Sequence, residues 1–128
     1  MTDAQAQDLM RRFARAFFER DRAALEAVTT DDVEWHFAIG DDAPDGRVHR
    51  GVDGLLAGIA QNAALFDSLR FEDVHVRVVS DTEILMTCRV DGRHRHGAPF
   101  SVRGIELITT RDGRIAKKDV FWKQCGSA

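Results

Sequence analysis

The stretch GAPFSVRGIELITTRDGRIAKKDVFW, residues 97–122, decides the fold. Two runs rich in β-branched and aromatic residues, 100–110 and 114–123, flank Arg111-Asp112-Gly113. An Asp-Gly pair between two such runs is a strong hairpin signal, because both central positions of the favoured turn take positive φ. The chain therefore closes on an antiparallel hairpin. Its second strand alternates in an unusual way: Lys117, Asp119 and Phe121 share one face, opposite Val120 and Trp122. A carboxylate sharing a face with a large aromatic suggests the wall of a hollow, with Lys117 and Lys123 reaching solvent at the rim.

Working outward, Phe71–Val79 and Glu83–Asp91 read as two more strands, the second with Ile84, Met86, Cys88 and Val90 on one face. Val33, Trp35, Phe37 and Ile39 alternate with Glu34, His36 and Ala38, a further strand, with the TTDD run before it as punctuation. Thr2 and Gln5 form a capping box ahead of an amphipathic helix whose stripe is Leu9, Phe13, Ala16 and Phe17. A short helix follows at 22–28. Apolar residues recur at helical spacing from Asp53 to Leu69, and residues 40–51 have loop composition. The predicted order is α-α-β-α-β-β-β-β, an α+β domain with helices on one side of a curved sheet.

At 128 residues the chain makes one domain, with 44% apolar and 30% charged residues and a net charge of −3. No basic face awaits nucleic acid or anionic lipid. The acid-bearing N-terminus contains neither a signal peptide nor a membrane span. Two cysteines, Cys88 and Cys125, suit reduced thiols and a cytoplasmic location. Histidines in Arg93-His94-Arg95-His96 lack a carboxylate or cysteine cluster, so no metal site is expected and a solvated loop is the simpler reading. Gly51, Gly54 and Gly58 fail the dinucleotide fingerprint and mark a helix start. No cofactor is implied.

One constellation could carry chemistry. Arg89 and Asp91 lie two apart on one face of their strand, and Asp119 on the last strand could face the same hollow. Two carboxylates around a guanidinium have their pKa values driven apart, one acid and one base. The alternative is an ion pair that orders the sheet. Trp35 and Phe37 would line the pocket, with His36 pointing away as a surface or packing residue. Leu56, Ile59, Phe66, Glu106 and Phe121 complete the expected walls, Glu106 if its strand faces inward at even positions.

The opening helix, TTDDVEWHFAIG, Gly51 before the long helix, and the 97–122 hairpin together resemble the SnoaL-like family of the nuclear transport factor two (ketosteroid isomerase-like) superfold. The resemblance spans nearly the whole chain, 1–128 as a single domain. It implies a conical barrel with a deep apolar pocket, usually a homodimer across the sheet. The family's activities include polyketide cyclisation, steroid isomerisation, epoxide hydrolysis and dehydration. The positions matching the isomerases' base and tyrosine are Phe37 and Phe13, which excludes that activity. The R-x-D and last-strand Asp of limonene-type epoxide hydrolases match Arg89, Asp91 and Asp119, but the water-holding tyrosine has no counterpart in a chain without tyrosine. The expectation is a cofactor-independent acid–base enzyme acting on a small hydrophobic molecule. The alternatives are a non-catalytic binding protein and, from an EW-x-FA opening and KD-x-x-x-K ending like theirs, the small subunit of a dehydrogenase.

Overall fold

Asp112 and Gly113 take φ of 54° and 75°, and the tight turn they make joins the last two strands in register from Arg111–Arg114. In the computed structural model, which describes residues 1–125, the elements are α1 (Asp3–Glu19), α2 (Arg22–Val28), β1 (Thr29–Phe37), β2 (Arg47–Arg50), α3 (Gly51–Leu65), β3 (Phe66–Ser80), β4 (Glu83–His94), β5 (Pro99–Arg111) and β6 (Arg114–Trp122). One six-stranded sheet runs β2-β1-β6-β5-β4-β3, antiparallel except where β1 meets β6 in parallel. The sheet curls around α1 and α3. Irregular registers along β3 and β4, at 66–68, 72–75 and 78–80, bend the long hairpin as bulges do.

The capping box at Thr2 and Gln5 is present, and α1 buries Ala6, Leu9, Met10, Phe13, Ala16 and Phe17 against the sheet. Asp3 Oδ1 accepts the Val78 backbone N–H at 2.8 Å, tying the helix start to β3.

Three expectations need correction. The segment 40–51 contains a short strand, β2, paired with β1 from Glu34–Arg50 to Phe37–Arg47. The TTDD run belongs to β1, where Thr29 is buried and its hydroxyl donates to the Leu25 carbonyl at 2.7 Å. The helix ends at Leu65, and Phe66 and Leu69 lie in β3. Its end is fixed from a distance: Arg95, on the β4–β5 hairpin, donates through its guanidinium to the Ala63 carbonyl, and through its backbone N–H to the Leu65 carbonyl at 2.9 Å. A cation on otherwise unpaired C-terminal carbonyls stabilises that terminus. The Arg93–His96 run thus supplies a tertiary helix cap, which local periodicity does not reveal.

Gly58 does more than mark a helix start. A Cβ there would lie 2.5 Å from Cζ3 of Trp35 and 2.8 Å from Nε2 of His49, so α3 can approach β1 only because the position has no side chain.

Candidate functional site

The concave face of the sheet is set by alternation. On β4 Ile84, Met86, Cys88 and Val90 are buried; on β5 Gly104, Glu106, Ile108 and Thr110 are. On β6 the alternation breaks once. Thr109 pairs with Lys117 and Thr110 with Ile115, so Ala116 is an extra residue on β6. A single inserted residue moves every later side chain to the opposite face. Ile115 points inward, and after the bulge Lys118, Val120 and Trp122 do, while Lys117, Asp119 and Phe121 turn outward.

That bulge relocates the site. Asp119 lies on the outer face, 3.7 Å from Lys117 Nζ, and Phe121 is 54% exposed. Arg89 and Asp91 also face outward, where Arg89 Nε and Nη2 reach Asp91 at 3.1 and 3.0 Å and the Ser101 hydroxyl donates to Asp91 at 2.7 Å. Arg89 and Ser101 hold the Asp91 carboxyl below its ordinary range. Register places Asp119 opposite Leu107, which faces Leu85, four residues from Arg89. The separation is on the order of 16 Å from strand spacing and rise. The three residues share a face but form no common site. Leu56 is half-buried against the core and does not line the cavity.

The inner face carries a different pair. Glu106 on β5 and Lys118 on β6 are diagonal neighbours, Glu106 opposite Val120 and Lys118 opposite Ile108. Lys118 Nζ lies 3.5 Å from Glu106 Oε1, with the side chains 10% and 4% exposed. Among the described residues this is the one carboxylate–lysine or carboxylate–arginine pair with both partners buried. The ammonium also sits over aromatic rings, 4.4 Å from the Phe17 centroid, 5.1 Å from Phe13 and 5.4 Å from Trp35. Such faces attract a desolvated cation.

Two lobes of cavity meet at this pair. The larger, about 540 Å³, runs between α1 and the β3–β4 hairpin past Met10, Phe13, Ala14, Val76 and Met86. The smaller, about 320 Å³, is walled by Trp35, Phe37, Ile59, Phe66, Val120 and Trp122. Phe17, Phe18, Phe71, Glu106 and Lys118 line both. So Trp35, Phe37, Ile59, Phe66 and Glu106, expected from sequence, come together on the cavity. Lys118 was missed, because Ile115 sets a parity that the bulge at Ala116 overturns. The signal that could have found it is the bulky pair Val120 and Trp122, which share its parity.

Two further inner groups, Cys88 and His49, are held in their neutral forms. Burial and the Glu106 charge push the Cys88 thiol up to about 11, so it stays protonated at neutral pH. Burial and the Arg47 cation hold His49 below its ordinary value, while Asp42 opposes. Arg47 Nε donates to His49 Nε2 at 2.8 Å, as a neutral ring allows, and this imidazole backs Trp35 with centroids 5.1 Å apart. Among the described residues no group of His, Cys, Asp and Glu has the geometry of a metal site, and no helix is long and apolar enough to cross a membrane.

A curled six-stranded mixed sheet wrapped on helices is the α+β fold of the NTF2-like class. An NTF2-like protein from Burkholderia xenovorans superposes with a TM-score of 0.81 at 20% identity, over 96% of this chain and 92% of that one. A protein assigned as a polyketide cyclase from Xanthomonas campestris does so with a TM-score of 0.72 at 17% identity, over 94% and 92%. The chain belongs to the SnoaL-like family, whose domain matches residues 10–118. An uncharacterised protein of Mycobacterium tuberculosis is 34% identical over 125 residues, covering 95% of this chain and 92% of that protein.

Proposed function

We propose that the protein is an acid–base enzyme that moves a proton next to a carbonyl group in a small, mostly apolar molecule held in the inner cavity. The observation that carries this reading is the buried Glu106–Lys118 pair at the junction of two apolar lobes. A buried carboxylate beside a buried ammonium combines a base with a fixed positive charge. Glu106 takes a proton from the carbon adjoining the carbonyl, the C–H electron pair enters the new C=C bond, and the carbonyl π pair moves onto oxygen. Lys118 donates a hydrogen bond to that oxygen as its charge grows. Returning the proton to the same or another carbon completes the cycle. Isomerisation, ring closure and dehydration can all begin with this step, and it uses side chains of this chain alone. The family relationship and the polyketide cyclase assignment of one structural neighbour are consistent with such chemistry.

Hydrogen–deuterium exchange at carbons beside the carbonyl, followed by NMR in D2O on a panel of apolar ketones and enones, tests this without knowing the substrate. Glu106→Gln should slow enzyme-dependent exchange by at least about a hundredfold, the lower range for losing a positioned base. Exchange that is absent from the wild type leaves the cavity as a binding site without catalysis, and exchange that is equal in the variant rules out Glu106 as the base.

We further propose that a second copy of the chain covers the outer sheet face. Leu85 and Leu107 lie half-buried beside Ile105 and Phe121, which are 43% and 54% exposed. The flanking pairs Arg89–Asp91 and Lys117–Asp119 offer charges of both signs to a self-complementary contact. Sedimentation should give a dimer at micromolar concentration, and Phe121→Glu a monomer.

A further inference from the structure

The two lobes specify what kind of molecule the cavity accepts. We infer that one ligand lies across both lobes, past the Phe18–Phe71 pair: a carbonyl compound with an apolar arm on each side of its oxygen, the arm in the smaller lobe a planar ring. This rests on the reading of Glu106 and Lys118 given above and extends it to substrate shape.

The oxygen must sit at the junction, because Lys118 stands there and its 3.5 Å approach to Glu106 is long for a charge-assisted hydrogen bond. An acceptor placed beside Nζ would meet a donor not fully used. Mostly apolar walls run away from that point in two directions, with polar side chains such as Gln7 and Arg11 in the larger lobe and Asn62 and Arg95 in the smaller, so a ligand with one arm would leave the other lobe's apolar surface uncovered. The arms differ. The smaller lobe is walled by Trp35, Phe37, Phe66 and Trp122, whose rings stack at their edges with centroids 5.1–6.4 Å apart, which suits a flat ring. Apart from the shared residues, the larger lobe has two aromatic side chains, Phe13 and His75, beside Met10, Met86, Ala14 and Val76, softer walls that tolerate a bulkier and more flexible arm.

Phe18 supports the same arrangement. It is 61% exposed, yet its ring centroid lies 6.1 Å from that of Phe71, and both line both lobes. The pair thus stands where the two lobes meet, as Glu106 and Lys118 do.

Three matched probes test the inference: 1,3-diphenylpropan-2-one with two arms and the oxygen, 1-phenylpropan-2-one with one arm, and 1,3-diphenylpropane without the oxygen. Ala14 lines only the larger lobe and Ala63 only the smaller, so Ala14→Phe and Ala63→Phe fill one lobe each. Affinities are read by calorimetry. The chain's two tryptophans, Trp35 and Trp122, both line the smaller lobe and report its filling by fluorescence. The two-armed ketone should bind at least about tenfold more tightly than the one-armed ketone, from the added apolar burial. Each lobe-filling variant should weaken the two-armed ketone by about tenfold or more, and only one of them should affect the one-armed ketone. If the second phenyl adds nothing, or only one variant weakens the two-armed ketone, or no probe binds, the spanning arrangement is wrong. Failure of the underlying reading looks different. The hydrocarbon would then bind as tightly as the two-armed ketone, and Lys118→Met would leave ketone affinity unchanged, whatever the lobe-filling variants do. Should either phenylalanine variant misfold, Ala14→Leu and Ala63→Leu repeat the comparison with smaller plugs.

Discussion

Two ion pairs on opposite faces of the same sheet have little in common. On the outer face Arg89 and Asp91 sit two apart on one strand, bonded at ideal distance, with side chains 43% and 23% exposed. On the inner face Glu106 and Lys118 come from different strands, stand 3.5 Å apart, and are almost fully buried. The outer pair has the better geometry and the weaker consequence, since solvent screens it and long side chains pay entropy to hold it. The inner pair has looser geometry in a setting where water cannot substitute for a missing partner. Quality of contact and energetic consequence therefore run in opposite directions here, and burial sets the consequence.

Breaking the inner pair should give the largest effect. Lys118→Met leaves Glu106 buried without its cation and should cost about 3–5 kcal/mol, measured by urea unfolding. That is a large share of the 5–15 kcal/mol typical of a domain. Adding Glu106→Leu to the same chain removes the orphaned charge, and the double variant should recover most of the loss or exceed the wild type. A double variant no more stable than Lys118→Met alone would mean that the lysine stem's packing on Phe13, Phe17 and Trp35 matters more than its charge.

A smaller and pH-limited effect separates the two faces by their titration. Burial and Arg47 make His49 harder to protonate in the folded chain. The unfolded chain then binds more protons below the ordinary histidine value of about 6.5, so stability falls as pH drops from there towards the lower folded value. Asp91 on the outer face is depressed by Arg89 and Ser101 and acts in another window. Its contribution is present above the ordinary carboxylate value of about 4 and fades only as pH falls below it. Thermal melts across pH should show both phases. His49→Gln keeps an acceptor for Arg47, cannot be protonated, and should remove the upper phase alone.

The sequence carried the fold well because its strongest signals are local. Asp112-Gly113 fixes the last hairpin, Thr2 and Gln5 fix the start of α1, and period-two runs mark β4 and β5. It assigned the wrong residues of β6 to the hollow because one inserted residue, Ala116, lies inside a run of apparently regular alternation. Alternation before the bulge assigns Lys117, Asp119 and Phe121 to the hollow. The chain instead turns Lys118, Val120 and Trp122 inward, as the register against β5 reveals. Strand β2 and the Arg95 cap escaped for a related reason. A four-residue strand and a cap drawn from 30 residues away depend on tertiary partners, not on local pattern.

The smallest expected effect is the most informative about that inversion. Asp119→Asn removes a carboxylate that sits opposite Leu107 and beside Lys117 on the outer face, with no contact to either lobe. Its volume survives the change, and what is lost is the charge facing Lys117 at 3.7 Å. Proton exchange on the ketone panel should stay within about twofold of wild type, against the hundredfold loss for Glu106→Gln. The urea midpoint at neutral pH should move little, since Lys117 keeps access to solvent and needs no buried partner. A hundredfold loss of exchange in Asp119→Asn, on protein that remains folded, would return the base to the last strand's other face. It would also require the bulge at Ala116 to be absent from the active protein, because only regular alternation from Ile115 brings Asp119 into the hollow.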